Sequence, residues 1–392
     1  MSNRAPPSGP LDGLRVLDLS TMLAAPYAAT LLGDLGADVI KIESHYGDES
    51  RHLGPRRGTE RSPFLSLNRN KRDIVLDLQQ EAAQEIFAKI AKTADILVCN
   101  VREPAMSKLG LNYEQVKAHK PDIIWIGVTA FGPDGPYAGR PGIDFLAQGY
   151  TGVLALNGHP EEGPVRTGFP AVDVITSALV STAALTALRV RDQTGKGQRI
   201  EVSLLDALMH AQASSIGSFL TAGFVTPRTG NRSLYFAPSG VYPTKDDKHV
   251  VITTPAEKFF TKLCRALEMD WDKEERFSTI DARLENEDAL DEINDVEEVV
   301  KDPQIQHNNM IVTTDHPTLG PVDVTGVPIR FYDTPGSIRR HPPLLGEHTR
   351  EILQEVGYSP EDIDALAAQG LVADHAEIMR LKAERRARKK AT

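Results

Sequence analysis

The sequence predicts an α/β protein: a large domain built on an open, Rossmann-like parallel sheet, with a smaller second domain. Three observations carry this reading. Short apolar runs alternate with amphipathic stretches up to about Ala130, the signature of buried strands separated by helices. The first strand, helix and strand fit into about thirty residues, the length of a βαβ unit, whose crossover is right-handed. At 392 residues the chain is also longer than one compact core usually holds.

Taken in order, Met1 to Pro10 form a Pro-rich lead-in. Leu14–Leu19 reads as the first buried strand, ending at Ser20-Thr21. Pro26 suits a first helical turn, Tyr27 to Leu35 continue the helix, and Gly36 stops it. Asp38–Glu43 is the second strand. Asp73–Leu76 starts a third, and the apolar spacing of Ala82, Ile86 and Ile90 predicts a helix over Glu81–Ala91. Ile96–Cys99 and Ile123–Val128 are further strands, with a helix around Tyr113–Ala118 between them. The Gly/Pro-rich loop Phe131–Gly142 follows, of a kind that often forms sites in such sheets. A small-residue-rich helix runs over Asp173–Arg189, then a strand over Arg199–Val202 and a second such helix from Leu204. Their small side chains permit close helix packing, within the chain or across a dimer. Beyond about Phe224 come short strands (Val250–Thr253) and an acidic helical stretch over Glu274–Glu298. The expected division is a large domain over 1–223, a small domain over 224–330 and a return to the large domain over 331–392.

Composition removes several function classes. Lys and Arg number 44 against 54 Asp and Glu, a net charge of −10, which argues against a nucleic-acid-wrapping protein. Only the tail Arg380–Lys390 is strongly basic, and it reads as a solvated terminal helix. The two cysteines, Cys99 and Cys264, each lie in an apolar run and read as buried thiols, which favours a reducing, cytoplasmic compartment. No unbroken apolar run reaches the ~20 residues of a membrane span, and the N-terminus lacks the apolar core of a signal peptide.

Motif searches are mostly negative. The first turn, Ser20–Pro26, has no glycine, so it lacks the fingerprint that brings a dinucleotide pyrophosphate to the backbone. Gly195-Lys196-Gly197 lacks the remaining positions of a phosphate-binding P-loop. There is no G-x-S-x-G, and the histidines show no paired metal-ligand spacing, so no metal site is expected.

What the motifs do resemble is the class III CoA-transferase family. The resemblance rests on the opening LDGLRVLDLSTMLAAPYAATLLGDLGADVIKIE (Leu11–Glu43), Asn68–Arg72, Val98–Val101, Lys108–Gly110, the loop Phe131–Asp144 with Phe145–Gln148, Thr194–Gln198 and the closing PPLLGEHT (Pro342–Thr349). It implies transfer of CoA from a thioester to a free carboxylic acid, with acyl-CoA as substrate, no tightly bound cofactor and an interlocked homodimer. It assigns the acyl-carrying nucleophile to Asp173, in Gly168–Asp173. A carboxylate of ordinary pKa is ionised at pH 7 and needs no general base. The residue types alone leave a second reading open, since an Asp before a long helix also serves as an N-cap.

By the same resemblance the CoA pocket is assigned to Leu23, Ala24, Ser44, Leu76, Asp77, Leu78, Gln79, Asn100, Val101, Arg102, Lys108 and Arg140. Several family members carry glutamine at the Leu23 position, arginine at Ser44 and Lys108, and lysine at Gln79. Lys108 keeps the charge and the others do not, so phosphate anchoring is expected to shift to Arg72, Arg102 or Arg140. Asn100 has an alternative as a cap for the following helix. Arg140, Arg166 and Arg228 are candidates to meet a second carboxylate of a dicarboxylic substrate. Related racemases place a histidine directly before an aspartate; the matching pair here is Ile143-Asp144, which favours transfer over racemisation. Two alternatives stay open, a racemase-like isomerase and a silent CoA-binding homologue. The second is motivated by a missing stretch near Asn294/Asp295 that shortens the small domain, and by Thr253–Ala256 standing where some members have a glycine-rich loop.

Overall fold

The computed structural model describes residues 9–243, 248–285, 306–329 and 334–391. The shortening near Asn294/Asp295, the acidic stretch beyond Glu285, the start of the lead-in and the 330/331 boundary lie outside these residues. In chain order the first elements are β1 (Arg15–Leu19), α1 (Ala24–Asp34), β2 (Asp38–Glu43), β3 (Lys71–Leu76), α2 (Glu81–Ala91), β4 (Ile96–Cys99), α3 (Tyr113–His119) and β5 (Ile124–Thr129). Next come α4 (Asp144–Tyr150), α5 (Ala171–Thr194), β6 (Arg199–Ser203), α6 (Leu204–Ala211) and α7 (Ala213–Ala222). After the hairpin β7 (Ser239–Pro243) and β8 (His249–Thr253) come α8 (Glu257–Ala266), a second hairpin of β9 (Ile311–His316) and β10 (Gly320–Thr325), then α9 (Thr349–Glu355), α10 (Pro360–Ala368), β11 (Val372–Ala373) and α11 (His375–Ala391).

The central sheet has seven strands in the order β11-β3-β2-β1-β4-β5-β6. Six are parallel, with Val16 opposite Val39 and Leu17 opposite Leu97, and only β11 runs antiparallel, on β3. β4 and β5, in the middle of one side of the sheet, are buried and nearly continuous apolar runs, as parallel strands covered on both faces are. Leu17, Ile40, Ile74, Leu97 and Trp125 form one core with Ile86, Phe87 and Ile90 of α2. The buried Trp125 indole N–H is satisfied by the Leu111 carbonyl at 2.9 Å.

β3 and α5 each begin two residues earlier than the sequence predicts. β3 begins at Lys71, because the buried Lys71 and Arg72 have partners that allow charged residues in a covered strand. α5 begins at Ala171, so Asp173 is its third residue and not its N-cap; Pro170 occupies that position. α5 is also, by length and composition, apolar enough to cross a membrane, which a search for unbroken apolar runs passes over because Ser and Thr are interspersed along it. In the fold Val172, Thr176, Val180 and Ala184 are buried on one side of it, and α1 packs closely there.

The chain divides into two compact units. One comprises Met1–Ala147, Pro170–Ala211 and Asn309–Thr392, and the other Gln148–Phe169 and Gln212–Asn308. The division therefore differs from boundaries at 224 and 331. The second unit also takes Gln148–Phe169, tied internally by Gln148 Nε2 donating to Thr167 Oγ1 at 2.8 Å and Gln212 Nε2 to the Thr151 carbonyl at 3.2 Å. Within it the buried Arg283 pairs with Glu257, donates to the Ala237 carbonyl at 2.7 Å and stacks on Phe260.

Candidate active site at the carboxyl edge of the sheet

In an open α/β sheet, ligands bind outside the carboxyl ends of the strands, where the strand order reverses. Here that point lies between β1 and β4. The turn after β1 takes the place of a glycine-rich loop and is held by side chains. Asn100, immediately after β4, accepts the Thr21 N–H at 3.1 Å through Oδ1 and donates through Nδ2 to the Thr21 carbonyl at 2.8 Å. It thereby pairs with the turn as another strand would, through two hydrogen bonds to Thr21. Met22 adopts a φ of 75°, a left-handed conformation costing a non-glycine residue about 1–3 kcal/mol. Its N–H is fixed at 3.1 Å by Asp48 Oδ1.

Beneath the turn lies a buried ion cluster. Lys41 Nζ sits 2.8 Å from Asp48 Oδ2 and donates to the Ser20 carbonyl at 2.8 Å. Lys71 Nζ sits 2.8 Å from Asp18 Oδ2 and donates to the Pro26 carbonyl at 2.7 Å. Burial pushes the Lys71 ammonium down to about 8 despite Asp18, while Lys41 and Lys71 hold Asp18 low against the opposing effect of burial. Charges removed from water this completely are tolerated only when paired and hydrogen-bonded, and both lysines also take backbone carbonyls at the two ends of the turn.

Most of the assigned pocket residues follow strand ends on this edge. Leu23 and Ala24 open α1, Ser44 follows β2, Asp77 to Gln79 follow β3, and Asn100 to Arg102 follow β4. Ser44 and Gln79 are exposed, whereas Leu76 and Ala24 are buried and offer only backbone to a ligand. Leu78 and Val101 pack on the core cluster from its margin. Arg102, Lys108 and Arg140 are exposed cations, and Arg102 Nη1 approaches the Gly139 carbonyl at 3.4 Å, joining the β4 end to the Arg140 loop.

Arg72 does not belong to this group. It lies at the opposite end of β3, and its guanidinium is used up by Asp38 at 2.6 Å, Glu355 at 2.6 Å and Glu351 at 2.9 Å. Its phosphate-anchoring assignment is corrected to a structural ion network. Thr254, in the segment standing for the glycine-rich loop, is buried and bonds the Pro238 carbonyl through both N–H and hydroxyl.

Asp173 is brought to the same edge by helix packing. Ser177 Oγ, one turn along α5, lies 2.7 Å from the Ala24 carbonyl oxygen and 2.8 Å from that of Asp173. Ser181 Oγ repeats the contact at Ala28, 3.3 Å away. Small side chains thus let α5 and α1 approach closely, placing the start of one beside the start of the other. Burial, and then the Asp144 carboxylate, push Asp173 up to about 7. It is therefore not the fully ionised group of an ordinary aspartate at neutral pH. Asp144 Oδ2 accepts the Val172 N–H at 2.8 Å and the Asp173 N–H at 3.4 Å. The sequence offers little sign of Asp144's role or of the Asn100 clamp, since both contacts join residues far apart in the chain. Lysines inside otherwise apolar strands do mark the ion cluster.

A desolvated carboxylate at a helix start, on the sheet edge where the exposed Arg102 follows β4, suits covalent chemistry on an anionic thioester. Among the described residues no cluster of three or more His, Cys, Asp or Glu is arranged to hold a metal. The family model described as CoA-transferase family III matches residues 11–293 and 289–349. The two matches meet where the missing stretch was placed. The chain is 30% identical to succinyl-CoA–D-citramalate CoA-transferase of Chloroflexus aurantiacus, over 95% of this chain and all of the relative. It is 31% identical to human succinyl-CoA:glutarate CoA-transferase, over 93% of this chain and 90% of that one. Among solved structures, a CaiB/BaiF family protein from Brucella suis superposes with a TM-score of 0.81 at 32% identity, covering 89% of this chain and 100% of that one. Fold and sequence agree: the chain belongs to CoA-transferase family III.

Proposed function

We propose that this enzyme transfers CoA from an acyl-CoA to a free carboxylic acid through acyl and thioester adducts on Asp173. The Asp173 carboxylate attacks the thioester carbonyl, the carbon–sulfur bond breaks, and CoA thiolate leaves an acyl-aspartyl anhydride. The thiolate then attacks the Asp173 carbonyl, releasing the donor acid and forming an aspartyl-CoA thioester. The acceptor carboxylate attacks that thioester, and the returning thiolate takes the acceptor's acyl group, freeing Asp173. Each step exchanges one carboxyl bond for another and needs no redox partner. The partial burial of Asp173 serves the same end, since water would hydrolyse either adduct.

The observation that carries this reading is the partly buried Asp173 at the start of α5, held against the start of α1 by Ser177. Arg102, Lys108 and Arg140 are the proposed partners of the CoA phosphates, with Leu23, Ala24, Ser44 and the 76–79 and 100–102 segments lining the pantetheine path. Because relatives are named for succinyl-CoA with citramalate or glutarate, dicarboxylates are the proposed donor and acceptor. Asp173→Asn is expected to abolish transfer while CoA affinity stays within about threefold; a variant that still transfers CoA sinks the reading.

A further inference from the structure

Asp144 has no part in the steps above, yet its carboxylate is the group that organises the start of α5. The first turn of a helix leaves backbone N–H groups without helical partners. Pro170, at the N-cap, has no side chain that can accept them. Asp144 supplies the acceptor from outside the helix, taking the Val172 N–H at 2.8 Å and the Asp173 N–H at 3.4 Å with one oxygen. One of those amides belongs to Asp173 itself, so the cap and the nucleophile share a peptide.

We propose that Asp144 is a positioning residue for the Asp173 nucleophile, fixing the helical turn that carries it and setting a second negative charge beside it. The inference rests on Asp173 being the nucleophile. The charge raises the basicity of the attacking carboxylate, adding to the larger effect of burial. The other elements packed on α5 carry few rivals for this role. α1 contributes Tyr27 and Asp34, the latter tied to Arg69 at 2.6 Å; β6 contributes Arg199 and Glu201, paired at 2.6 Å; α6 contributes Asp206 and His210; β5 has no charged residue. Among the described residues, Asp144 is the charged group that adds to burial in raising Asp173. Two carboxylates at one site oppose each other's ionisation, so removing one charge lowers the pKa of the other.

The test is the pH dependence of covalent adduct formation on Asp173, followed by rapid quench and mass spectrometry with succinyl-CoA. In the unmodified enzyme the rate is expected to rise with a midpoint near 7. Asp144→Asn keeps an oxygen for the two N–H groups and loses the charge, so its midpoint is expected to fall by about one pH unit. Asp144→Ala also loses the cap, and its plateau rate is expected to drop at least about tenfold while CoA affinity changes little. If Asp144→Asn does not fold, Asp144→Ser, a neutral residue able to accept an N–H, carries the same measurement. A neutral variant with an unmoved midpoint overturns the role of Asp144 and leaves Asp173 standing. An unmodified enzyme with no adduct on Asp173 at any pH overturns both.

Discussion

At the scale of single residues, the burial that raises the Asp173 carboxyl carries a cost in stability. That carboxyl is pushed up to about 7 in the fold, against about 4 for a free aspartate. Between those values the unfolded chain releases its proton first, so folding stability falls as pH rises from about 4 to about 7 and then levels. Asp173→Asn removes the ionisation, and it is expected to be more stable than the unmodified protein at pH 8 by a few kcal/mol, with the gain shrinking towards pH 5. Thermal melts at the two pH values measure this; a variant equally destabilised at both contradicts it. The assignment of Asp173 rests on the family resemblance of the segment Gly168–Asp173 around it. Asn100 and Asp144 act on backbone 79 and 28 residues away, so their roles emerge only from the fold. Arg72 misleads for the complementary reason. An arginine read from sequence carries a charge but no address, and this one spends its charge on Asp38, Glu351 and Glu355.

At the scale of elements, the buried strands are the most legible part of the chain, because a parallel strand covered on both faces must be apolar along its length. The first turn has no glycine, and what holds it is invisible locally: Asn100, Asp48 and two lysines from neighbouring strands. The small-residue pattern of α5 foretells close packing, and the structure directs one face of it to α1. Other apolar residues remain exposed, among them Leu185 and Val190 on α5 and Phe219 and Leu220 on α7. We infer that these helices meet a second copy of the chain, in keeping with the interlocked homodimer that the family resemblance implies. Sedimentation at micromolar concentration is expected to give twice the chain mass, and a stable monomer contradicts the inference.

At the scale of the whole molecule, the fold presents loops from five parallel strand ends at one edge and brings the start of α5 to the same edge. Strand order, and with it the reversal between β1 and β4, depends on which strands pair over long separations, so no local pattern states it. The extent of the second unit is hidden for a similar reason, since Gln148–Phe169 joins it through Gln148 and Gln212 and not through any change in composition. The central claim concerns one covalent bond, and the most direct measurement is the intact mass of the protein after incubation with succinyl-CoA, followed by peptide mapping. A CoA thioester or succinyl adduct on the peptide containing Asp173, absent from Asp173→Asn, is the expected result. An adduct on another residue, or turnover with no adduct under rapid quench, contradicts it.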